Sequence, residues 1–204
     1  MKIISYQFSG HSDVILNDFD YIFIQRCPDD FLKSIHLKGY YTKFIQNFQE
    51  KGLCIVSKKP IEVDTYKFKN YSGNNSNQGK HYQITYIDGI KFINAGISFP
   101  DKFVPLEIKI SQASEVMDFV DDNTILLGDF HNKDCDFPDE LNLDKRNLMN
   151  HVHSNTYQQY KDQWLWVDSL DKIITTKKCP FIIEDVKVLT YESKDRIHFP
   201  VSFY

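Results

Sequence analysis

Histidines, carboxylates and one arginine are the residues of this chain best able to do chemistry. Asp129 closes the apolar run Thr124-Ile125-Leu126-Leu127-Gly128, and His131 follows two residues later. A carboxylate at that place either accepts local backbone N–H groups or works on a ligand. His198 stands between Ile197 and Phe199, just before Pro200, a setting that suits a buried structural histidine as well as a catalytic one. Two imidazoles can act as general base and general acid, and the Arg26 guanidinium can grip a phosphate through two parallel hydrogen bonds. His11, His36, His81, His151 and His153 lie in polar contexts that assign them no role. The four cysteines, Cys27, Cys54, Cys135 and Cys179, are far apart and form no C-x-x-C, so reduced thiols rather than a zinc site are expected.

Composition bounds what can position these groups. The chain has 204 residues, of which 42% are hydrophobic and 25% charged, which suits one globular domain and excludes disorder as the default. Aromatic residues reach 15%, against 8 glycines and 7 prolines, a balance that favours strands around a bulky core. With 24 basic and 28 acidic residues the net charge is −4, which argues against coating nucleic acid by bulk charge but leaves a local basic groove open. No apolar run is long enough to span a bilayer, and MKIISYQFSGHSD turns polar too early for a signal peptide. An intracellular (cytoplasmic or nuclear) protein with no membrane partner is therefore expected.

Ten short apolar runs read as strands: 2–8, 20–27, 52–58, 81–87, 90–99, 123–130, 164–170, 172–176, 186–191 and 198–204. Some alternate with period two, while Ile125-Leu126-Leu127 is continuous and belongs at a sheet centre. Asp88-Gly89 between two such runs marks a two-residue hairpin turn. Helices are expected at 29–38, where acids follow Pro28, at 105–120, and more weakly at 40–50. The Asn/Ser/Gly-rich segment 69–80 reads as a flexible loop, and 131–163 as a long loop with one helical turn.

The order of these segments resembles the endonuclease/exonuclease/phosphatase superfamily, the deoxyribonuclease I-like fold. The resemblance runs through ISYQF (4–8), IFIQRC (22–27), KGLCIVSKKPI (51–61), FINAGIS (92–98), KISQ (109–112), TILLGDFHN (124–132), SLDKII (169–174) and RIHFPV (196–201). It implies a single domain over 1–204, an α/β (α+β) four-layer sandwich of two packed, mostly antiparallel sheets flanked by helices. Carried over residue by residue, it implies that Asp129 is a general base or metal-site carboxylate and His198 the closing catalytic histidine. Asp171 matches an Asp of the family, and Lys109 with Gln112 match its helix pair. Gln7 stands where a phosphate-contacting Asn is usual, Arg26 where a magnesium-holding Glu is usual, Gly96 where a transition-state His is usual, and His131 where an Asn follows the G-D-F core. Ile197 replaces the Asp before the closing histidine.

Magnesium prefers hard oxygen ligands that include carboxylates, so a cation at 26 and an aliphatic residue at 197 imply a lost metal site and no cofactor. Arg26, if it occupies the old metal hole, is expected to pair with Asp129 or Asp171. Gln7, Arg26 and Asp171 become the candidate phosphate contacts, and Asp129, His131 and His198 the catalytic candidates if activity exists. Three readings stand. The first is a catalytically degenerate protein of this fold that serves as a binding or assembly module, with a protein or nucleic acid as partner. The second is a metal-independent phosphodiesterase or ribonuclease using His131, His198 and Arg26. The third is a weakened magnesium-dependent nuclease.

Overall fold

The apolar runs fold into two six-stranded sheets packed face to face in a computed structural model. The structure describes residues 1–8, 19–48, 51–70, 80–98, 104–131, 141–153, 156–161, 164–168, 170–181, 183–189, 197–198 and 201–204. In chain order the elements begin with β1 (Ile3–Gln7), β2 (Tyr21–Pro28), α1 (Asp29–Leu37), β3 (Tyr41–Phe48) and β4 (Lys51–Ser57). There follow β5 (Val63–Lys67), β6 (His81–Ile87), β7 (Ile90–Gly96), α2 (Leu106–Met117), β8 (Thr124–Asp129) and β9 (Leu148–Asn150). The last are β10 (Tyr157–Lys161), β11 (Trp164–Asp168), β12 (Asp171–Thr176), β13 (Lys187–Val188), β14 (Ile197–His198) and β15 (Val201–Phe203).

One sheet runs β13-β15-β1-β2-β4-β3 and the other β5-β6-β7-β8-β12-β9, with a smaller sheet β11-β10-β14 beside them. Among the described pairings, β1–β2 and β7–β8 are parallel and the rest antiparallel. The parallel strands β1, β2, β7 and β8 lie inside their sheets, which explains their near-continuous apolar character. Asp88 and Gly89 both take positive φ and close Ile87 onto Ile90, the turn expected from that dipeptide.

Each face of each sheet has its own cover. Phe31, Leu32 and Ile35 of α1 pack on Ile22, Ile24 and Val56 of the first sheet. Ala113, Val116 and Met117 of α2 pack on Ile93, Leu126 and Ile174 of the second. Between the sheets, Phe23 and Ile55 meet Phe92, Ile125 and Leu127, with the Phe23 and Phe92 rings stacked 5.4 Å apart. Burying each such side chain contributes roughly 1.5–3 kcal/mol. The result is the expected four-layer arrangement of helix, sheet, sheet and helix.

Three local expectations need correction. Residues 41–48, read as part of a helix, form the edge strand β3, because Phe44, Ile45 and Phe48 have a spacing that imitates a helical stripe. The segment 131–163 is not merely loop: it carries β9 and β10, which pair with β12 and β11. β5 was not anticipated, since four of its five residues are exposed and leave no burial pattern. The loop expected at 69–80 falls mainly outside the described residues. Cys27, Cys54 and Cys179 are free thiols. A hydrogen bond with Cys27, reinforced by burial, pushes the Cys54 thiol well above its ordinary pKa, so it is a poor nucleophile. No helix among the described residues is long and apolar enough to cross a membrane.

Candidate functional site

Strand ends β1, β2, β7, β8 and β12 gather the candidate residues at one end of the sandwich. Gln7 is the direct partner of Gln25 across β1–β2, Gly96 pairs with Asp129 across β7–β8, and Asp171 pairs with Asp129 across β12–β8. The sheets meet at Gly96, where an added Cβ would lie 3.8 Å from the Gln25 Cβ.

The G-D-F core has a steric cause. A Cβ on Gly128 would stand 1.9 Å from the Ala95 carbonyl oxygen, so only glycine lets β7 and β8 approach this closely. That approach delivers Asp129, only 2% exposed, to the inter-sheet face. Phe130 then turns back into the core under α2.

His131 does not stand free in a surface loop. Its backbone N–H donates to Asp129 Oδ1 at 3.0 Å, and its ring Nε2 lies 3.0 Å from Oδ2, with the side chain 9% exposed. Lys109 on α2 donates from Nζ to the His131 carbonyl at 2.7 Å. These contacts hold His131 at φ +50°, a left-handed conformation that a residue with a Cβ adopts only at a cost. Gln112, one turn along α2, accepts from Ser98 N–H at 3.0 Å and donates to the Asn70 carbonyl at 2.9 Å, which ties the helix to the segments after β7 and β5.

Arg26 corrects the expectation placed on it. Between Ile24 and Cys27 the β2–β4 register slips, so Gln25 and Arg26 together oppose Leu53. Arg26 sits on this bulge at φ +55° with its side chain exposed, and it joins neither Asp129 nor Asp171 in an ion pair. The bulge directs the guanidinium to water, where it needs no buried partner. Gln25, 1% exposed, takes the inward position instead.

Asp171, 2% exposed, is held through its backbone: its N–H and that of Leu170 donate to Thr156 Oγ1 at 3.0 and 3.1 Å. The next residue, Tyr157, is the backbone partner of His198 in the small sheet. The main chain at His198 is thereby placed beside the segment that anchors Asp171.

Sequence reasoning passed over the buried amides behind the site. Gln83 Nε2 donates to the Lys43 carbonyl at 3.1 Å, and Gln83 Oε1 accepts from Asn94 Nδ2 at 3.0 Å. Asn94 Oδ1 in turn accepts from Gln25 Nε2 at 2.7 Å, and Gln25 also reaches Ser5 Oγ at 3.4 Å. Polar residues within apolar strands were the available signal, for Gln25, Gln83 and Asn94 each interrupt one. Lys172, fully buried opposite Gly128, was missed for the same reason. Among the described residues no group of three or more His, Cys, Asp or Glu side chains clusters as a metal site.

The two mixed sheets, their helices and the strand ends converging on Asp129 form a deoxyribonuclease I-like fold. No family model and no curated protein matches the sequence. Solved structures do. The chain is similar to the 3′-5′ exonuclease NExo of Neisseria meningitidis, with a TM-score of 0.70, 16% identity, and 100% of this chain and 99% of that one covered. It is similar to D. rerio TDP2 complexed with single-strand DNA product, with a TM-score of 0.69, 10% identity and coverage of 100% and 97%. A mannosyl-6-phosphatase from Bacteroides thetaiotaomicron gives 0.70, 16%, and coverage of 100% and 98%.

Proposed function

We propose that this chain is a binding module built on a nuclease fold, one that engages a nucleic-acid strand at the converging strand ends without hydrolysing it. One observation carries the reading: each Asp129 oxygen is already engaged by His131, one by its backbone N–H and one by its ring. A carboxylate so occupied is poorly placed to activate water or to hold a divalent ion. Gln7 and Gln25 add neutral amides, and Asp171, the register partner of Asp129, is the further carboxylate that the strand ends bring there. The exposed Arg26 at the rim can still take a phosphate. Similarity to a TDP2 structure that holds single-strand DNA supports nucleic acid as the ligand class. Arg26 is the one phosphate contact in this reading, so salt dependence should be shallow.

The test joins stability to turnover. Millimolar magnesium should leave the melting temperature unchanged, since only a ligand of the native state raises it. DNA, RNA and phosphomonoesters should stay intact with magnesium or EDTA. A magnesium-dependent rise in melting temperature that Asp129→Ala abolishes would overturn the reading.

A second reading has its own observation. The 3.0 Å contact between His131 and Asp129 is also the geometry in which a carboxylate orients a catalytic imidazole. If His131 and His198 form an acid–base pair, RNA should be cleaved in EDTA with a bell-shaped pH profile. A substrate without the 2′-hydroxyl should resist, and His131→Ala or His198→Ala should remove most of the rate.

A further inference from the structure

The buried amide relay has a fixed direction. A backbone carbonyl can only accept, so the Lys43 carbonyl forces Gln83 to present Nε2 to it and Oε1 to Asn94. Asn94 then presents Nδ2 to Gln83 and to the Cys54 carbonyl, leaving Oδ1 for Gln25 Nε2. Gln25 therefore cannot flip without breaking the series, and its Oε1 is committed as an acceptor. That oxygen is buried and has no hydrogen-bond partner, and so is Oε1 of Gln7. The two glutamines are each 1% exposed and are register partners on adjacent parallel strands, both on the inter-sheet face. Two desolvated acceptors side by side are costly unless donors meet them.

The structure assigns to Gln7 and Gln25 a subsite for the amino group of a ligand, an –NH2 or –NH3⁺ whose hydrogens bridge the two carbonyl oxygens. Neighbouring strands lie about 4.8 Å apart, a span that one nitrogen at ~2.9 Å from each oxygen can bridge. Two oxygens without formal charge are too few for a metal ion, and both repel phosphate. Gln7 is thus an amino acceptor rather than a phosphate contact. Resting on the nucleic-acid reading above, the subsite selects bases that carry an exocyclic amine.

Two arms test this separately. In the first, thermal stability is followed with methylammonium chloride against tetramethylammonium chloride at equal ionic strength. Methylammonium should raise the melting temperature and tetramethylammonium should not. The difference should vanish in Gln7→Met and Gln25→Met and survive in Gln7→Glu, which keeps an acceptor. In the second arm, anisotropy titrations in EDTA compare labelled oligo(dA) with oligo(dI) and oligo(dC) with oligo(dU). The amino-bearing member of each pair should bind about tenfold more tightly, the worth of one well-made hydrogen bond. No methylammonium shift, a shift that persists in both Met variants, or equal affinity within each pair overturns the subsite. A methylammonium shift with no oligonucleotide binding leaves the subsite standing and removes the nucleic-acid reading alone.

Discussion

Removing the Asp129 carboxylate distinguishes a self-satisfied pocket from a working one. Asp129→Ala deletes two buried contacts of 3.0 Å, one to the His131 N–H and one to its ring. Hydrogen bonds to a charged group contribute about 1.5–3 kcal/mol each, and breaking a buried pair costs about 3–5 kcal/mol. His131 also loses what supports its φ of +50°, while the carboxylate's own desolvation penalty disappears. The expected net loss is about 4 kcal/mol, a large share of the ~5–15 kcal/mol that holds a domain folded. Urea unfolding measures it: with a slope near ~2 kcal/mol/M the midpoint should fall by about 2 M at unchanged slope. Asp129→Asn, which still offers an oxygen to the His131 N–H, should cost about half as much. In an active enzyme the opposite sign is common, because catalytic carboxylates are held in place against stability. A midpoint that stays put or rises in Asp129→Ala would refute the argument that this carboxylate is consumed internally.

Two neighbouring glycines should behave oppositely. Gly128→Ala forces a Cβ to 1.9 Å from the Ala95 oxygen and should cost about 3 kcal/mol or more in urea unfolding. Gly96→Ala meets nothing closer than the Leu53 Cδ2 at 3.6 Å and should shift stability by less than ~1 kcal/mol, in the stabilising direction. Burial, followed by the Glu115 carboxylate, pushes the Tyr82 phenol up to about 12. Because the folded state holds this proton more tightly than the unfolded chain, its stabilisation is complete below pH 10 and is lost as pH rises from there towards 12. Tyr82→Phe should flatten that part of the alkaline stability profile, and an unchanged slope would contradict the assignment.

Local signals in the sequence determined those elements whose residues are sorted by burial or by backbone need. The Ile125-Leu126-Leu127 run became central β8, Asp88-Gly89 became the hairpin turn, and the acids after Pro28 opened α1. The order of the motifs carried the fold as well, since those reaching Gln7, Gln25, Gly96, Asp129 and Asp171 mark strand ends that the pairings bring together, while KISQ lies on α2. Edge strands escaped because they bury little: β5 shows no pattern, and the apolar spacing of β3 fits a helix as well as a strand. The site itself was decided by tertiary structure. Nothing local indicates that a bulge would turn Arg26 outward and Gln25 inward, because register depends on the partner strand. Nor does the sequence disclose that His131 would engage Asp129, that Lys109 would hold the His131 carbonyl from α2, or that the Lys43 carbonyl would set the direction of amides ending at Gln25. The last two pairings join residues far apart in the chain, the first depends on the left-handed turn at His131, and all three gain strength from the low-dielectric interior that only the packed sheets create.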